Sequence, residues 1–189
     1  MKKTYKFGSL IVAVALLGFS LSGCAASNNN AGGDDMGGMD HGSSHSMTIT
    51  DKQSFAEAMI PHHQQAIDMS AYAPTNTSNP EIIAIAEKIT AEQGPEIGTM
   101  TPWLEGRTVN YMMLMDGMLS PVQLTALRTS KDGDFDKLYV QYMIEHHEGA
   151  VQMASDALAI NDPELTDFAN AIIVAQTAEI AELLALLKN

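Results

Sequence analysis

The chain has one cysteine, one tryptophan and ten lysines and arginines among 189 residues, against 23 aspartates and glutamates. A single thiol excludes an internal disulfide. The shortage of cations excludes nucleic acid as a partner and disfavours anionic lipid surfaces, because counterion release needs lysine and arginine that this chain lacks. Outside the N-terminus no alternating run is enriched in valine, isoleucine or threonine, which argues against any strand. The sequence also lacks a Gly-Lys-Ser/Thr phosphate loop, a Gly-x-Ser-x-Gly elbow and a Cys–His pairing beyond the leader, so ordinary hydrolase chemistry has no candidate nucleophile beyond scattered Ser and Thr. No glutamate has a histidine three residues later, which counts against an oxygen-activating di-iron centre in a helical bundle.

Long apolar runs are scarce as well. One runs from Leu10 to Leu21, after Lys2, Lys3 and Lys6, and ends in Leu21-Ser-Gly-Cys24. A charged start, an apolar stretch too short to span a bilayer and a small-residue cleavage site describe a leader. Residues 1–23 resemble a bacterial lipoprotein signal peptide, which implies cleavage before Cys24 and lipid on its sulfur. Loss of the leader removes three lysines and no acid, taking the formal charge from −13 to −16. From Ala25 to about Thr50 the composition is Asn, Gly, Ser and Asp without periodicity, which cannot bury enough surface to offset ordering entropy. Residues 24–50 are therefore expected to be a disordered tether, and residues 51–189 a single domain.

What the chain has in excess is one segment, present twice. Met59-Ile-Pro-His62-His63-Gln-Gln-Ala66-Ile-Asp-Met69 returns 84 positions later as Met143-Ile-Glu-His146-His147-Glu-Gly-Ala150-Val-Gln-Met153. Downstream, Gln93-Gly-Pro-Glu96-Ile97 returns as Gln176-Thr-Ala-Glu179-Ile180. A duplicated helix pair is the simplest cause. Apolar residues recur at three and four positions from Asp51 onward, the helical period. Asp51 is a plausible N-cap, and Pro61 should kink its helix or mark the true start. Pro74 begins a turn-rich connector, and Asn79-Pro80-Glu81 restarts a helix that runs past Gly94-Pro95 to about Gly106. Ser120 can cap a short helix through Arg128. Phe135–Ile160 and Leu165–Leu187 make two more long helices. These readings predict an all-α, four-helix bundle with pseudo-symmetric halves.

At 100° per residue Met59, His62, His63, Ala66 and Met69 fall within an arc of about 120°, and the second copy does the same. Adjacent histidines diverge by about 100°, so one of each pair should point inward and the other pack sideways or against a carboxylate. Gln93 with Glu96, and Gln176 with Glu179, lie on the apolar stripes of the partner helices, where polar groups need partners. Two accounts follow. In one, histidine and glutamate satisfy each other in the core while methionine fills irregular gaps. In the other, imidazole and thioether bind a metal and the glutamates orient the rings; soft sulfur then selects Cu(I) over zinc, iron or magnesium. Methionine outside the repeat favours the second. Twelve methionines follow the leader, against roughly 2 per cent in average usage. Met36, Met39, His41, His45 and Met47 stand in the tether, where packing gives methionine no role, and they form a candidate weak copper site.

Taken together, Phe55-x3-Met59-Ile-x-His62-His63-x2-Ala66-x2-Met69, Gln93-x2-Glu96-Ile97, Met115-x2-Met118, Phe135-Asp136 and the second His-His copy resemble the domain of unknown function 305 family, over about residues 51–189. The resemblance implies a ferritin-like fold and, through the family's CopM-type copper-binding proteins, an exported metallochaperone or copper-resistance role. It carries metal ligation onto Met59, His62, His63, Met69, Met115, Met118, Met143, His146, His147 and Met153. The expectation is a non-enzymatic copper buffer or chaperone in the cell envelope. Its partners would be copper, the membrane through Cys24, and a copper-transport or copper-acceptor protein. The alternatives are a ferritin-like metal oxidase or peroxidase, and a structural lipoprotein of the envelope without metal.

Overall fold

The computed structural model of the chain describes residues 48–188. The leader, Cys24 and the tether residues Met36, Met39, His41, His45 and Met47 lie outside them. Four long helices dominate: α1 (Lys52–Ser70), α3 (Pro80–Met100), α5 (Asp132–Ala157) and α6 (Pro163–Leu186). Between them come two shorter ones, α2 (Ala73–Asn76) and α4 (Pro121–Thr129), and a 3₁₀ turn at Thr101–Leu104. No strand occurs among the described residues.

Local chemistry accounts for the helix starts. The Asp51 carboxylate accepts the Ser54 amide at 2.6 Å while the Ser54 hydroxyl accepts the Asp51 amide at 3.1 Å, a reciprocal cap that satisfies amides with no intrahelical partner. Asn79 and Asp162 cap α3 and α6 through their side chains, each ahead of a proline at the first helical position. Ser120 caps α4 in the same reciprocal way as Asp51, with Gln123. Pro61 does not start a helix. It lies inside α1, because the cap ahead of it and the burial of Phe55, Met59 and Ile60 outweigh the one backbone bond that proline removes. Likewise α3 runs through Gly94-Pro95 without a break. The connector at Pro74 contains one helical turn, α2, whose Asn76 amide donates to the carbonyls of Arg128 and Ser130, both at 3.0 Å.

The helices pair as α1 with α3 and α5 with α6, and the two hairpins meet along α1 and α5. The apolar core is divided in two. One cluster takes Phe55–Ile60 of α1, Ala150–Ala157 of α5 and Leu165–Ile172 of α6; the other takes Ala66–Ala73, Phe135–Met143 and Leu183. Early α1 therefore meets late α5 and late α1 meets early α5, so the two helices run antiparallel. Between the clusters every long helix turns polar at once: His62 and His63, Gln93 and Glu96, His146 and His147, Gln176 and Glu179. The duplication places a polar layer across the middle of the bundle.

Candidate metal centre

All four histidines of that layer are fully buried. The inner pair is His62 and His146, whose rings lie 3.8 Å apart between centroids with planes at 40°. Ala66 and Ala150, both buried, are small enough for α1 and α5 to approach this closely. The outer pair faces carboxylates: His63 Nε2 is 2.8 Å from Glu96 Oε2, and His147 Nε2 is 2.8 Å from Glu179 Oε2. One histidine of each pair thus points inward and the other against an acid.

These contacts fix which nitrogen holds the proton. Carboxylate and carbonyl oxygens can only accept, so the Nε2–H of His63 and of His147 donates to its glutamate. The Nε2–H of His62 donates to the Asp116 carbonyl at 3.2 Å. In each neutral ring the bare lone pair is then on Nδ1. The Nδ1 atoms of His62, His63 and His147 are buried without a hydrogen-bond partner, and His146 has none on either nitrogen. Burial pushes the His62 imidazolium down to about 3, with the charge of His63 adding to it. Burial also takes His146 well below its ordinary value, with the charges of His62 and His147 adding. Both inner rings are therefore neutral at pH 7 and present lone pairs, the form in which imidazole binds metal.

Methionine is distributed unevenly around the layer. Met59 and Met153 share one core cluster with Met100, Met115 and the half-buried Met118, whereas Met69 and Met143 share the other. The Met118 sulfur accepts the Met115 amide at 3.3 Å. The Gln93 and Gln176 amides are buried without partners. Among the described residues no three His, Cys, Asp or Glu side chains converge on one point. Buried neutral imidazole together with thioether fits a soft monovalent cation. Each outer ring donates its second nitrogen to a carboxylate, and His62 donates to a carbonyl, as metal-bound histidines do.

Three features escaped the sequence reading, and all concern the connector at residues 107–119. Its Asp116 carbonyl holds His62. Its Leu119 exchanges two hydrogen bonds with the Gln65 amide, at 2.6 and 3.1 Å. Its Gly117, at φ +81°, sits against Gly149 and His146 of α5. Gln65 and Gly149 occupy the same place in the two copies of the repeat and differ there, which is the signal that could have revealed the docking site.

The family model described as Domain of unknown function (DUF305) matches residues 52–187. No curated protein matches the chain. Among solved structures, CopM in the Cu(II)-bound form is 36% identical, covering 76% of this chain and 99% of CopM at a TM-score of 0.64. CopM in the Cu(I)-bound form is 32% identical, covering 75% and 98% at 0.62. A DUF305 protein from Streptomyces coelicolor is 28% identical, covering 73% and 93% at 0.66.

Proposed function

We propose that this chain, which belongs to the DUF305 family, is a lipid-anchored extracytoplasmic protein that binds copper as cargo, chiefly Cu(I), and buffers or hands it on without catalytic turnover. The observation that carries the reading is the set of four buried imidazoles, each with an unpartnered Nδ1, flanked by methionine on both sides. Leaving a polar atom buried and unpaired costs about 1–3 kcal/mol. A metal that engaged such atoms would recover that deficit. CopM, the likeness described above, has been crystallised with Cu(I), with Cu(II) and with silver, which supports a site for soft cations that takes copper. Envelope location rests on the leader and Cys24, and the absence of turnover on the lack of a Glu-x-x-His pair.

Titration of the mature protein with Cu(I) against a chelator tests the reading. His146 is the residue to change, because it has no hydrogen bond to lose. His146→Leu should lower the copper stoichiometry while the protein stays folded; unchanged stoichiometry in that variant and in the fourfold His62, His63, His146, His147 variant would sink the core site. The contacts of His63 with Glu96 and His147 with Glu179 favour a second reading, a purely structural network. Melting distinguishes the two. A ligand that binds only the native state raises the melting temperature, by about 2.7 kcal/mol of stability at a hundredfold excess over Kd, whereas the structural network predicts no change with Cu(I).

A further inference from the structure

All four imidazoles of the polar layer are fully buried, so a cation reaches them only when part of their cover moves. The long helices tie their amides into helical ladders, and the two core clusters close the layer on either side. The connector, residues 107–119, is held differently. Within it the backbone bonds are two isolated turns, Met113 to Asn110 and Met118 to Met115. Yet it touches both inner histidines. The Asp116 carbonyl accepts the Nε2–H of His62 at 3.2 Å, and Gly117 lies so close to α5 that a Cβ there would stand 3.1 Å from the His146 Cα. From Thr108 to Leu119 three hydrogen bonds hold the connector to the helices: that one and the two between Leu119 and Gln65. The buried side chains of Met115 and Leu119 add to them. Beyond these anchors Tyr111, Met112 and Leu114 are exposed. A cleft of about 240 Å³ undercuts the segment, with Asn110, Met113 and Met115 on one side and Glu57 of α1 on the other.

We propose that the connector is the lid of the histidine centre, lifting to pass a soft cation and closing over it. The proposal rests on the copper reading above, and adds to it the route of entry and its control. A segment held by few contacts opens locally at less cost than the fold as a whole. Each net hydrogen bond shifts a two-state population by about fivefold, so the three bonds keep the open state to roughly one molecule in a hundred. Lifting withdraws the Asp116 carbonyl from His62 and Gly117 from α5, which uncovers the inner pair. The cleft beneath places Met113 and Met115 at the edge that opens. Closure is coupled to cargo through the same ring. When the Nδ1 lone pair of His62 goes to a cation, its Nε2–H becomes the stronger donor to the Asp116 carbonyl, so loading draws the lid down.

Gln65→Leu tests the lid without touching a proposed ligand. It removes both bonds to Leu119, so opening should become about 25-fold more frequent, at about fivefold per bond. The mature chain loaded with Cu(I) should surrender it to a chelating competitor faster by that factor, with its copper stoichiometry unchanged. Gln65→Glu keeps an acceptor for the Leu119 amide and loses the donor to its carbonyl, so its rate should fall between. Tyr139→Phe removes a hydrogen bond in the other core cluster and should release copper at the wild-type rate. In the metal-free chain the buried Met115 reports opening through its oxidation by hydrogen peroxide, with Met112, 87% exposed, as the internal standard. Gln65→Leu should speed the first by the same factor and leave the second alone. A wild-type rate of copper release or of Met115 oxidation in Gln65→Leu, or equal acceleration in Tyr139→Phe, overturns the lid and leaves the histidine centre standing. A wild-type chain that takes up no Cu(I) overturns the copper reading and the lid's cargo with it, a failure told apart from the first because Met115 oxidation still responds to Gln65→Leu.

Discussion

Adding one methyl group at Gly149 should detach the connector from the bundle. A Cβ built there would fall inside the Asp116 peptide, colliding with its carbonyl oxygen and lying 2.7 Å from its carbonyl carbon, and 3.0 Å from Gly117 Cα. The neighbours are backbone on both sides, so no side chain can swing away. If α5 yields, overpacking costs about 1–3 kcal/mol. If the connector yields, it forfeits the two Gln65–Leu119 bonds and the His62–Asp116 bond, at about 1 kcal/mol each. The two routes together bracket about 1–3 kcal/mol, which for a domain of this size lowers the melting temperature by roughly 3–10 °C. The routes differ in hydrogen exchange. The Leu119 amide, which donates to Gln65 at 2.6 Å, should be protected in the wild type and should exchange quickly in Gly149→Ala if the connector lifts. Gly98 is the control, because a Cβ there meets nothing within 4 Å; Gly98→Ala in the interior of α3 should stabilise by about 0.5–1 kcal/mol. Wild-type melting together with a protected Leu119 amide in Gly149→Ala would refute the account of how the connector is held.

Acid should destabilise the metal-free domain well before the carboxylates titrate. The folded value of His62 lies near 3, below its unfolded value near 6.5, and His146 is shifted the same way. Below pH 6.5 the unfolded chain binds more protons, so stability is complete above that pH and falls by about 1.4 kcal/mol per pH unit for each ring as the pH drops toward the folded value. Urea melts at pH 7, 5 and 4 check this, and a flat profile would contradict the neutral inner pair. Glu179→Leu should destabilise by about 1–3 kcal/mol, because it strands the buried Nε2–H of His147. The same change should lower the carboxyl of Glu92, which burial raises first and the charge of Glu179 second; proton NMR titration of Glu92 reads this directly. Tyr139→Phe should lose about 1 kcal/mol in denaturant melts through its 2.9 Å bond with Ser70 in the core, and no loss would mean that the Ser70 hydroxyl finds another partner.

The fold was legible because its signals are local or periodic. Asp51, Asn79, Ser120 and Asp162 cap helices through contacts spanning two or three residues, and the apolar spacing of three and four marks the stripes between them. The repeat showed the histidine faces, and the 100° divergence of neighbours correctly sent one ring of each pair inward. Residues 107–119 were opaque for the opposite reason. They have no regular hydrogen bonding of their own and take their path from Gln65 and Gly149, more than thirty residues away in either direction. Pro61 left two readings open, a kink or a start, because proline's effect on a helix is set by what surrounds it; the cap at Asp51 and the buried face of Phe55, Met59 and Ile60 exclude the start. The division of the methionines between two clusters was equally hidden, since it follows from α1 and α5 running antiparallel.

That antiparallel packing makes the two halves equivalent in the histidine layer, and the connector then makes them different. Positions 65 and 149 correspond in the repeat, yet one is a glutamine that grips Leu119 through two hydrogen bonds and the other a glycine that lets Asp116 and Gly117 reach the backbone of α5. Both departures serve one loop. By docking there it gives His62 a carbonyl partner that His146 lacks, and it adds Met115 and Met118 to the cluster of Met59 and Met153 while the cluster of Met69 and Met143 gains no further methionine. A duplicated helix pair alone would offer a soft cation two equal faces. With Met100 of α3 and the connector in place, the cluster of Met59 and Met153 holds more sulfur and the inner ring without a hydrogen bond is His146, so the departures from the repeat are what make the two sides of the histidine layer unequal.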